Sequence, residues 1–517
     1  MGAVETEVAT RRERGGRSAR HARRSQSGTI GRIARLTRKV PLYDLLDEES
    51  LDALEAHADW ILQEIGIEIR GDPEALALFK AAGAEVQGER LRFEPGLLRK
   101  LCATAPKAFT FHARDPKNSL TIGKDHVVFS PAYGPPFVSD LEGGRRYATI
   151  QDFRNFVKLT YLSPWLQHGG GTLCEPVDLP VNKRHLDMVY AHLRYSTKAF
   201  MGAVTAPARA EDSLAMARIA FGAETLKRHC VIQGNINVNS PLVFDDTMTG
   251  ALKVYARAGQ AVLLSPFILG GAMGPVTQPA LIAQAHAEAL VGIALTQLVR
   301  PGAPVVYGCF LTTLNLKTGA PTFGTPEANL AILAVGQLCR RLGLPLRCGG
   351  HLTAAKVADG QAMQESADSM NSGLLAGANL VIQSAGWLEG GLTMGYEKFV
   401  IDAERCGEMH RALSGLTIDR ESLAEAAFRE AGPGQTFLGT QHTLANFEAA
   451  CPPSRLADDQ SYEAWLEQGG KTQEERAHSL WQRQLAAYEP PPIDPAVDEA
   501  LQDFMARKKR AVEDAWY

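Results

Sequence analysis

Ala261-Val262-Leu263-Leu264-Ser265-Pro266-Phe267-Ile268-Leu269 is followed by an apolar run over 279–299 and then by Val305-Val306-Tyr307-Gly308-Cys309-Phe310-Leu311. The two flanking runs are short, apolar and punctuated by turn residues, as buried strands are, while the middle one has helix length. A strand, a helix and a second strand in that order read as a right-handed βαβ unit of a parallel sheet. The alternation extends both ways. Strands are expected at 166–169, 199–205, 230–236, 261–269, 305–311, 346–351, 379–383 and 437–440. Helical patterns lie between them at 182–198, 210–228, 245–258, 279–299, 326–342, 361–376 and 396–413, and Asp212, Thr277 and Thr325 read as helix starts. Eight such units are the number that closes a barrel. The expected fold class is therefore α/β, a (β/α)8 TIM barrel over 165–458. The competing geometry is an open doubly wound sheet, and the first strand–helix turn lacks the GxGxxG of its dinucleotide-binding form.

The segment 41–164 reads as an N-terminal α+β layer. Asp47 can cap a helix carrying Leu51, Leu54, Ile61, Leu62 and Ile65 on one face. A strand at 65–70, a helix at 73–83, a strand at 90–93 and a small sheet from 127–130 and 136–139 follow. Residues 1–40 are rich in Arg, Ser and Gly and read as a disordered basic arm, with a transit peptide or an arm for an acidic partner as alternatives. The stretch 459–517 reads as a C-terminal helical extension, packed on the barrel's outside or on another subunit.

The composition excludes several classes. The chain has 517 residues with a net charge of −4, which is no footprint for nucleic acid. Its eight cysteines form no CxxC pair and read as reduced thiols of a cytoplasmic protein. No secretory h-region is present, and apolar stretches such as 289–298 are interrupted by Thr296 and Gln297, so no membrane span is expected.

In a barrel the chemistry sits at the C-terminal ends of the strands. Those ends carry His168 before three glycines, Asn235 and Asn237 at period two, Phe267, Tyr307, Phe310, the run Cys348-Gly349-Gly350-His351, and Gln383 followed by Trp387-Leu388-Glu389-Gly390-Gly391. Glycine beside polar and aromatic residues brings backbone close to a bulky ligand. Tyr307, Phe310, Phe267 and Trp387 could offer π faces to a cationic nitrogen, with Glu389 as a compensating charge. The bland readings are barrel packing for each aromatic and mutual satisfaction for the inward polar residues. Cys348, His351 and Cys309 could alternatively form a thiolate zinc site, although its remaining ligands are not evident. No GxSxG elbow supports a serine hydrolase.

The chain resembles the trimethylamine methyltransferase family from about Thr37 to its end. The residues that carry this are Thr37-Arg38-Lys39-Val40-Pro41-Leu42-Tyr43, Ile65-Gly66-Ile67-Glu68, Ser130-Pro131-Ala132-Tyr133-Gly134, the block Gly349 to Ala362, Ala385-Gly386-Trp387-Leu388-Glu389-Gly390-Gly391-Leu392 and Tyr396-Glu397-Lys398-Phe399-Val400-Ile401-Asp402. The resemblance implies a (β/α)8 barrel that moves a methyl group from a methylated amine to the Co(I) of a separate corrinoid protein. The founding trimethylamine enzymes carry pyrrolysine, taken to form an adduct with a tertiary amine. This sequence has only standard residues and so looks like the branch that includes glycine betaine methyltransferases. A quaternary ammonium already has a neutral amine as its leaving group, so the protein's task is alignment and exclusion of water.

The resemblance sets the remaining expectations. His351 and Glu389 are the catalytic candidates, His351 by hydrogen bonding to a corrinoid or a substrate carboxylate. Trp387, Tyr307, Phe310, Phe267, Asn235, Asn237, His168 and Gln383 are the substrate-binding candidates. Asn235, Asn237, His168 or Arg347 could donate to a carboxylate. Gly349, Gly350, Gly390 and Gly391 are expected to face the corrinoid, which should not stay bound here because no DxHxxG motif is present. No metal is expected in the site, and the chain is expected to form a homo-oligomer. The alternatives are a trimethylamine:corrinoid methyltransferase, a zinc-dependent thiol or methanol-type methyltransferase, and a barrel that binds a methylated amine without turning it over.

Overall fold

Six parallel strands form the spine of one curled sheet, in the order Gln233–Asn237, Ala261–Ser265, Val305–Gly308, Leu346–Gly349, Leu380–Ile382 and His126–Phe129. The computed structural model describes residues 33–450, 452 and 454–516. The strands are short apolar runs buried on both faces, as parallel strands covered by helices must be. Leu263 and Val306 pack inward, while Leu264 and Val262 face the surrounding helices. After each strand the chain returns through an outer helix: Ile150–Leu162, Asp246–Arg257, Gln278–Val299, Pro326–Leu342, Gly360–Leu375 or Tyr396–Leu413.

The strand register differs from expectation by one position. The strand His126–Phe129 pairs antiparallel with Leu120–Gly123 and Leu36–Thr37 and parallel with Leu380–Ile382, so it belongs to the main sheet and not only to the N-terminal layer. It holds the place beside Leu380–Ile382 that a strand at 437–440 was expected to fill. Residues 437–440 form turns instead, with Leu438 78% exposed, because no sheet edge is left for them. The expected strands at 166–169 and 199–205 are drawn out into loops. They are tied in by backbone hydrogen bonds from His168 N to Phe129 O (3.1 Å), Gly169 N to Ala199 O (2.7 Å), Met201 N to Gly170 O (2.8 Å) and Gly202 N to Gln233 O (2.9 Å). The expected strands at 261–269 and 305–311 each break in two. Beyond the break, Phe267–Gly270 and Phe310–Thr313 pair with each other above the sheet.

The helix starts are mostly as read. Asp47 accepts from Ser50 N (2.9 Å), and Leu51, Leu54, Ile61 and Leu62 are buried, although Ile65 is exposed. Asp212 is not a helix start. It lies inside Pro207–Phe221, bonded to His185 (3.0 Å) and Lys508 (2.6 Å). Gln278–Val299 is buried on all sides, and by length and composition it is the one described helix able to cross a membrane. Its apolar window is 89% buried inside the protein, which makes it a core helix.

The end of the basic arm is ordered. Ile33 and Leu36 are buried, and Arg38 reaches Ala378 O (2.6 Å), so 33–40 straps the sheet, and the rest of the expected arm lies outside the described residues. The C-terminal helices pack on the outer ones. Trp481 stacks near Tyr396 (4.6 Å between rings) and donates to Glu397 (2.9 Å), and Tyr190 donates to Asp498 (2.8 Å).

A Cβ on Gly308 would lie 2.3 Å from Leu264 O and 3.0 Å from Ser265 Cα, both backbone atoms of the neighbouring strand. Gly308→Ala should lower stability by about 1–3 kcal/mol. Gly439→Ala, with nothing within 4 Å, is the neutral control. Urea denaturation of both variants checks this.

Candidate active site

At the C-terminal ends of the strands four aromatic rings pack together. Phe267 stacks on Phe310 (5.4 Å), Phe310 meets Phe323 (5.1 Å), and Trp387 stands edge-on to Phe310 (5.8 Å) and Phe323 (5.5 Å). These spacings are those of favourable aromatic pairs. Phe267 and Phe310 arrive on the strands that rise beyond Pro266 and Cys309, and Trp387 on the short strand Trp387–Leu388. Trp387 Nε1 donates to Thr353 O (3.2 Å), which fixes the ring. A small cavity of about 30 Å³, room for one water, lies beside Phe310, Cys309, Gly349 and Leu352.

The inward side of the sheet below is polar. Arg347 is buried and donates to Ser265 Oγ (3.0 Å), Cys309 O (3.4 Å) and Gln383 Oε1 (3.0 Å), and its guanidinium carbon lies 5.0 Å from the centre of the Phe310 ring. Gln383 holds φ +57°, a left-handed conformation that is costly for a side chain with a Cβ. Asn235 Oδ1, both polar atoms of Gln233, His168 Nε2 and Arg347 Nε are buried and make no hydrogen bond among the described residues. Native proteins leave few such groups, so a cluster of them marks a place built for something polar. The Tyr133 hydroxyl reaches the Thr172 and Asn235 side chains and lies within range of the Arg347 charge.

His168 accepts from Gly170 N through Nδ1 (2.9 Å), so its proton sits on the unpartnered Nε2. His351 is held the opposite way. Its Nδ1–H donates to Ser384 O (2.8 Å), which leaves Nε2 as an acceptor. Asp402 organises this corner by accepting from Lys398 Nζ (2.5 Å) and Gly386 N (2.9 Å), with its nearer oxygen 3.7 Å from His351 Nδ1.

Glu389 takes a different place from the one expected. Its carboxylate pairs with Arg145 Nε (2.7 Å) and accepts from Thr393 Oγ1 (2.7 Å). These contacts hold it below the ordinary glutamate range against the opposing effect of burial. Its charge is thus already balanced, on the outer side of a cap made of Trp387–Leu388, Thr393–Gly395, Phe137–Asp140 and Gly144–Tyr147. The ion pair ties the turn Glu389–Gly391 to the strand Gly144–Tyr147 of this cap.

Other candidates are dispersed. Tyr307 points outward into the helical layer, where its hydroxyl meets His286 Nδ1 (3.1 Å). Asn237 is exposed. Gly349 and Gly350 are buried and Gly390 and Gly391 partly exposed, and each is closely packed: a Cβ on Gly349 would meet Leu352 (2.6 Å), on Gly350 Met370 (2.9 Å), on Gly390 Pro321 (3.3 Å), and on Gly391 the Trp387 ring (2.4 Å). Cys348 Sγ faces Gly373 on an outer helix, and burial pushes the Cys309 and Cys348 thiols up to about 12. No three His, Cys, Asp or Glu side chains among the described residues converge to hold a metal.

Phe323, Arg145 and Gln233 were not foreseen. Phe323 lies in the loop 317–325, which has no periodicity to mark it, and Arg145 acts across 244 residues of sequence.

A model of the family described as trimethylamine methyltransferase (MTTB) matches residues 13–513. The chain belongs to this family. It is 38% identical to a glycine betaine methyltransferase of Desulfitobacterium hafniense (strain Y51), over 92% of this chain and 98% of that one. It is 27% identical to the trimethylamine methyltransferase MttB2 of Methanosarcina mazei, over 91% and 96%. Among solved structures, the Methanosarcina barkeri monomethylamine methyltransferase (MtmB) aligns with a TM-score of 0.44 at 12% identity, over 88% and 92% of the two chains. The chain is thus a methyltransferase of the methylamine type.

Two predictions follow from the charges. Burial pushes His168 and His286 down to about 3 and His192 and His351 down to about 4. The unfolded chain takes up these protons near pH 6.5 and the folded chain only near 3–4, so acid favours unfolding. These four histidines should make stability fall as pH drops from 6.5 towards 4, by about 1.4 kcal/mol per pH unit for each. Urea titrations across that range measure the slope. Glu389→Gln should cost at most about 1 kcal/mol, because Arg145 is half-exposed. It should nevertheless speed amide hydrogen exchange in 387–395, and unchanged exchange would remove the latch role from the ion pair.

Proposed function

We propose that this chain transfers a methyl group from a quaternary amine, with glycine betaine the first candidate, to the Co(I) of a corrinoid on a separate protein. The observation that carries the reading is the aromatic cluster of Phe267, Phe310, Phe323 and Trp387 at the strand ends. A permanently charged ammonium has no N–H to donate and is held by aromatic faces. The relation to a glycine betaine methyltransferase along nearly the whole of both chains supports the same substrate class.

The corrinoid supplies a two-electron nucleophile. The carbon–nitrogen bond breaks with its electrons left on nitrogen, a neutral tertiary amine departs, and no proton moves. The chain's own contribution is to align the ammonium methyl with the mouth of the sheet and to exclude water. His351, with Nε2 as a fixed acceptor, is the candidate for positioning at the mouth. The corrinoid partner would come to the cap, whose turn Glu389–Gly391 carries the partly exposed Gly390 and Gly391.

The same reading takes the sheet as a (β/α)8 barrel. Its eight positions would be the six parallel strands and the two hydrogen-bonded segments at 166–170 and 199–202, each followed by a helix. Residues 41–125 would then be the layer outside it and 459–516 the helical extension. We also read the protein as cytoplasmic and self-associating. Self-association is supported by Leu416, Ile418, Phe428 and Leu438, which expose apolar surface beyond the last barrel helix.

The test is a screen of quaternary amines against reduced corrinoid protein, followed by visible absorbance. Loss of the Co(I) spectrum with glycine betaine is expected. Turnover of trimethylamine instead would shift the substrate, and binding without any spectral change would make the chain a binder. Stoichiometric zinc held by Cys309 and Cys348 in the purified protein would favour the zinc-dependent class. Trp387→Ala should weaken quaternary amine binding by about 1–2 kcal/mol with the fold retained.

A further inference from the structure

Among the described residues Arg347 is the charged member of the polar cluster on the inward side of the sheet, and no carboxylate answers its charge. The residue is 3% exposed, yet all three acceptors of its guanidinium, Ser265 Oγ, Cys309 O and Gln383 Oε1, are neutral. Among the described residues it makes no ion pair. Its Nε has no hydrogen-bond partner at all. A guanidinium stays charged under such conditions, and a buried charge without a counter-ion is costly to keep. Gln383 adds to that cost, since it is held at φ +57° while its amide oxygen steers the guanidinium. Strain and an unpaired charge at one point mark a site that is completed by a ligand of opposite sign.

The neighbours narrow the ligand. The guanidinium carbon is 5.0 Å from the centre of the Phe310 ring, and Phe310 is the central member of the aromatic cluster. A ligand that places an anion on Arg347 therefore has a cation-binding wall a few bonds away. Of the four residues that could donate to a carboxylate, Asn237 is exposed, and Asn235 and His168 are neutral, His168 offering a single N–H. Only Arg347 has the planar, multidentate donor array that fits a carboxylate.

We propose that Arg347 anchors the substrate's carboxylate and so makes the site selective for zwitterionic quaternary amines, in which carboxylate and ammonium lie a few bonds apart. This rests on the quaternary-amine reading above and names the substrate class of that site. Gln383 and Ser265 are positioning residues that aim the guanidinium.

Calorimetric titration of the full chain with glycine betaine, glycine betaine methyl ester and tetramethylammonium tests it. The three share a quaternary ammonium, and only the first carries a carboxylate. The parent protein should bind glycine betaine on the order of 100-fold more tightly than the ester, the size of effect seen for a desolvated charge pair. In Arg347→Gln that ratio should fall towards one, and Arg347→Lys should restore part of it. The anchor is overturned if the parent binds ester and acid alike, or if Arg347→Gln keeps the ratio. Should Arg347→Gln fail to fold, the acid-to-ester comparison in the parent still decides. If the parent binds none of the three, the quaternary-amine reading fails and the anchor with it. Binding of ester and tetramethylammonium with no gain from the carboxylate sinks the anchor alone.

Discussion

The pairing of His126–Phe129 with Leu380–Ile382 is the constraint on which the rest depends. It joins segments some 250 residues apart, with Leu380 opposite Val128 and Val381 opposite Phe129. Ser130 N and Ala132 N carry the contact onward to Val381 O and Ala385 O (both 2.9 Å). A contact so distant in sequence orders a long loop, and it repays that entropy only through what it brings together. Here it brings the loop bearing Tyr133 to the mouth of the sheet. It also sets Gln383 and Ser384 beside the 347–351 segment and leaves 437–440 without an edge to join.

The interior above that pairing departs from a hydrocarbon core. Lower down, Leu263, Val306, Leu380 and Ile382 fill the inward face. Just beyond Leu263 and Ile382 come Ser265 and Gln383, with Arg347 on the strand Leu346–Gly349 and Gln233 and Asn235 on the strand Gln233–Asn237. Strand alternation puts Gln233, Asn235 and Ser265 on one face, because side chains two apart point the same way, and the left-handed turn at Gln383 brings that residue to the same face past the strand's end. Polar groups buried without partners weaken a fold, and here several lie together under the aromatic cluster. Stability given up at one spot, beside rings fixed by their own packing, is the pattern expected of a binding site rather than of a core.

How much of this was legible in the sequence depended on range. Periodicity located the strands at 261–265, 305–308, 346–349 and 380–382 and the helices between them, because those signals are local. It counted the strands by the wrong register. Val127, Val128 and Phe129 read, with 136–139, as a small sheet of the N-terminal layer. Their parallel neighbour lies far away in sequence and leaves no local trace. Among the site candidates, Phe267, Phe310 and Trp387 converge, while Tyr307, one strand residue away from Gly308, falls on the opposite face. A one-residue difference in a strand reverses a side chain's direction, and breaks such as the one at Pro266 make that parity hard to carry past the strand's end. Phe323 had no signal at all.

Glu389 and Arg347 show why charge needs structure before it can be read. Both stand in motifs rich in glycine at strand ends, and the sequence favoured the acid, since a cationic substrate asks for one. Arg145, 244 residues earlier, already answers Glu389 across the cap. The residue that lacks an answer is the base. An aromatic wall can hold an ammonium without a carboxylate beside it, because the ring quadrupole supplies the attraction. With the ammonium accounted for in that way, the uncompensated charge left in the pocket is positive, and the part of a ligand it selects is an anion.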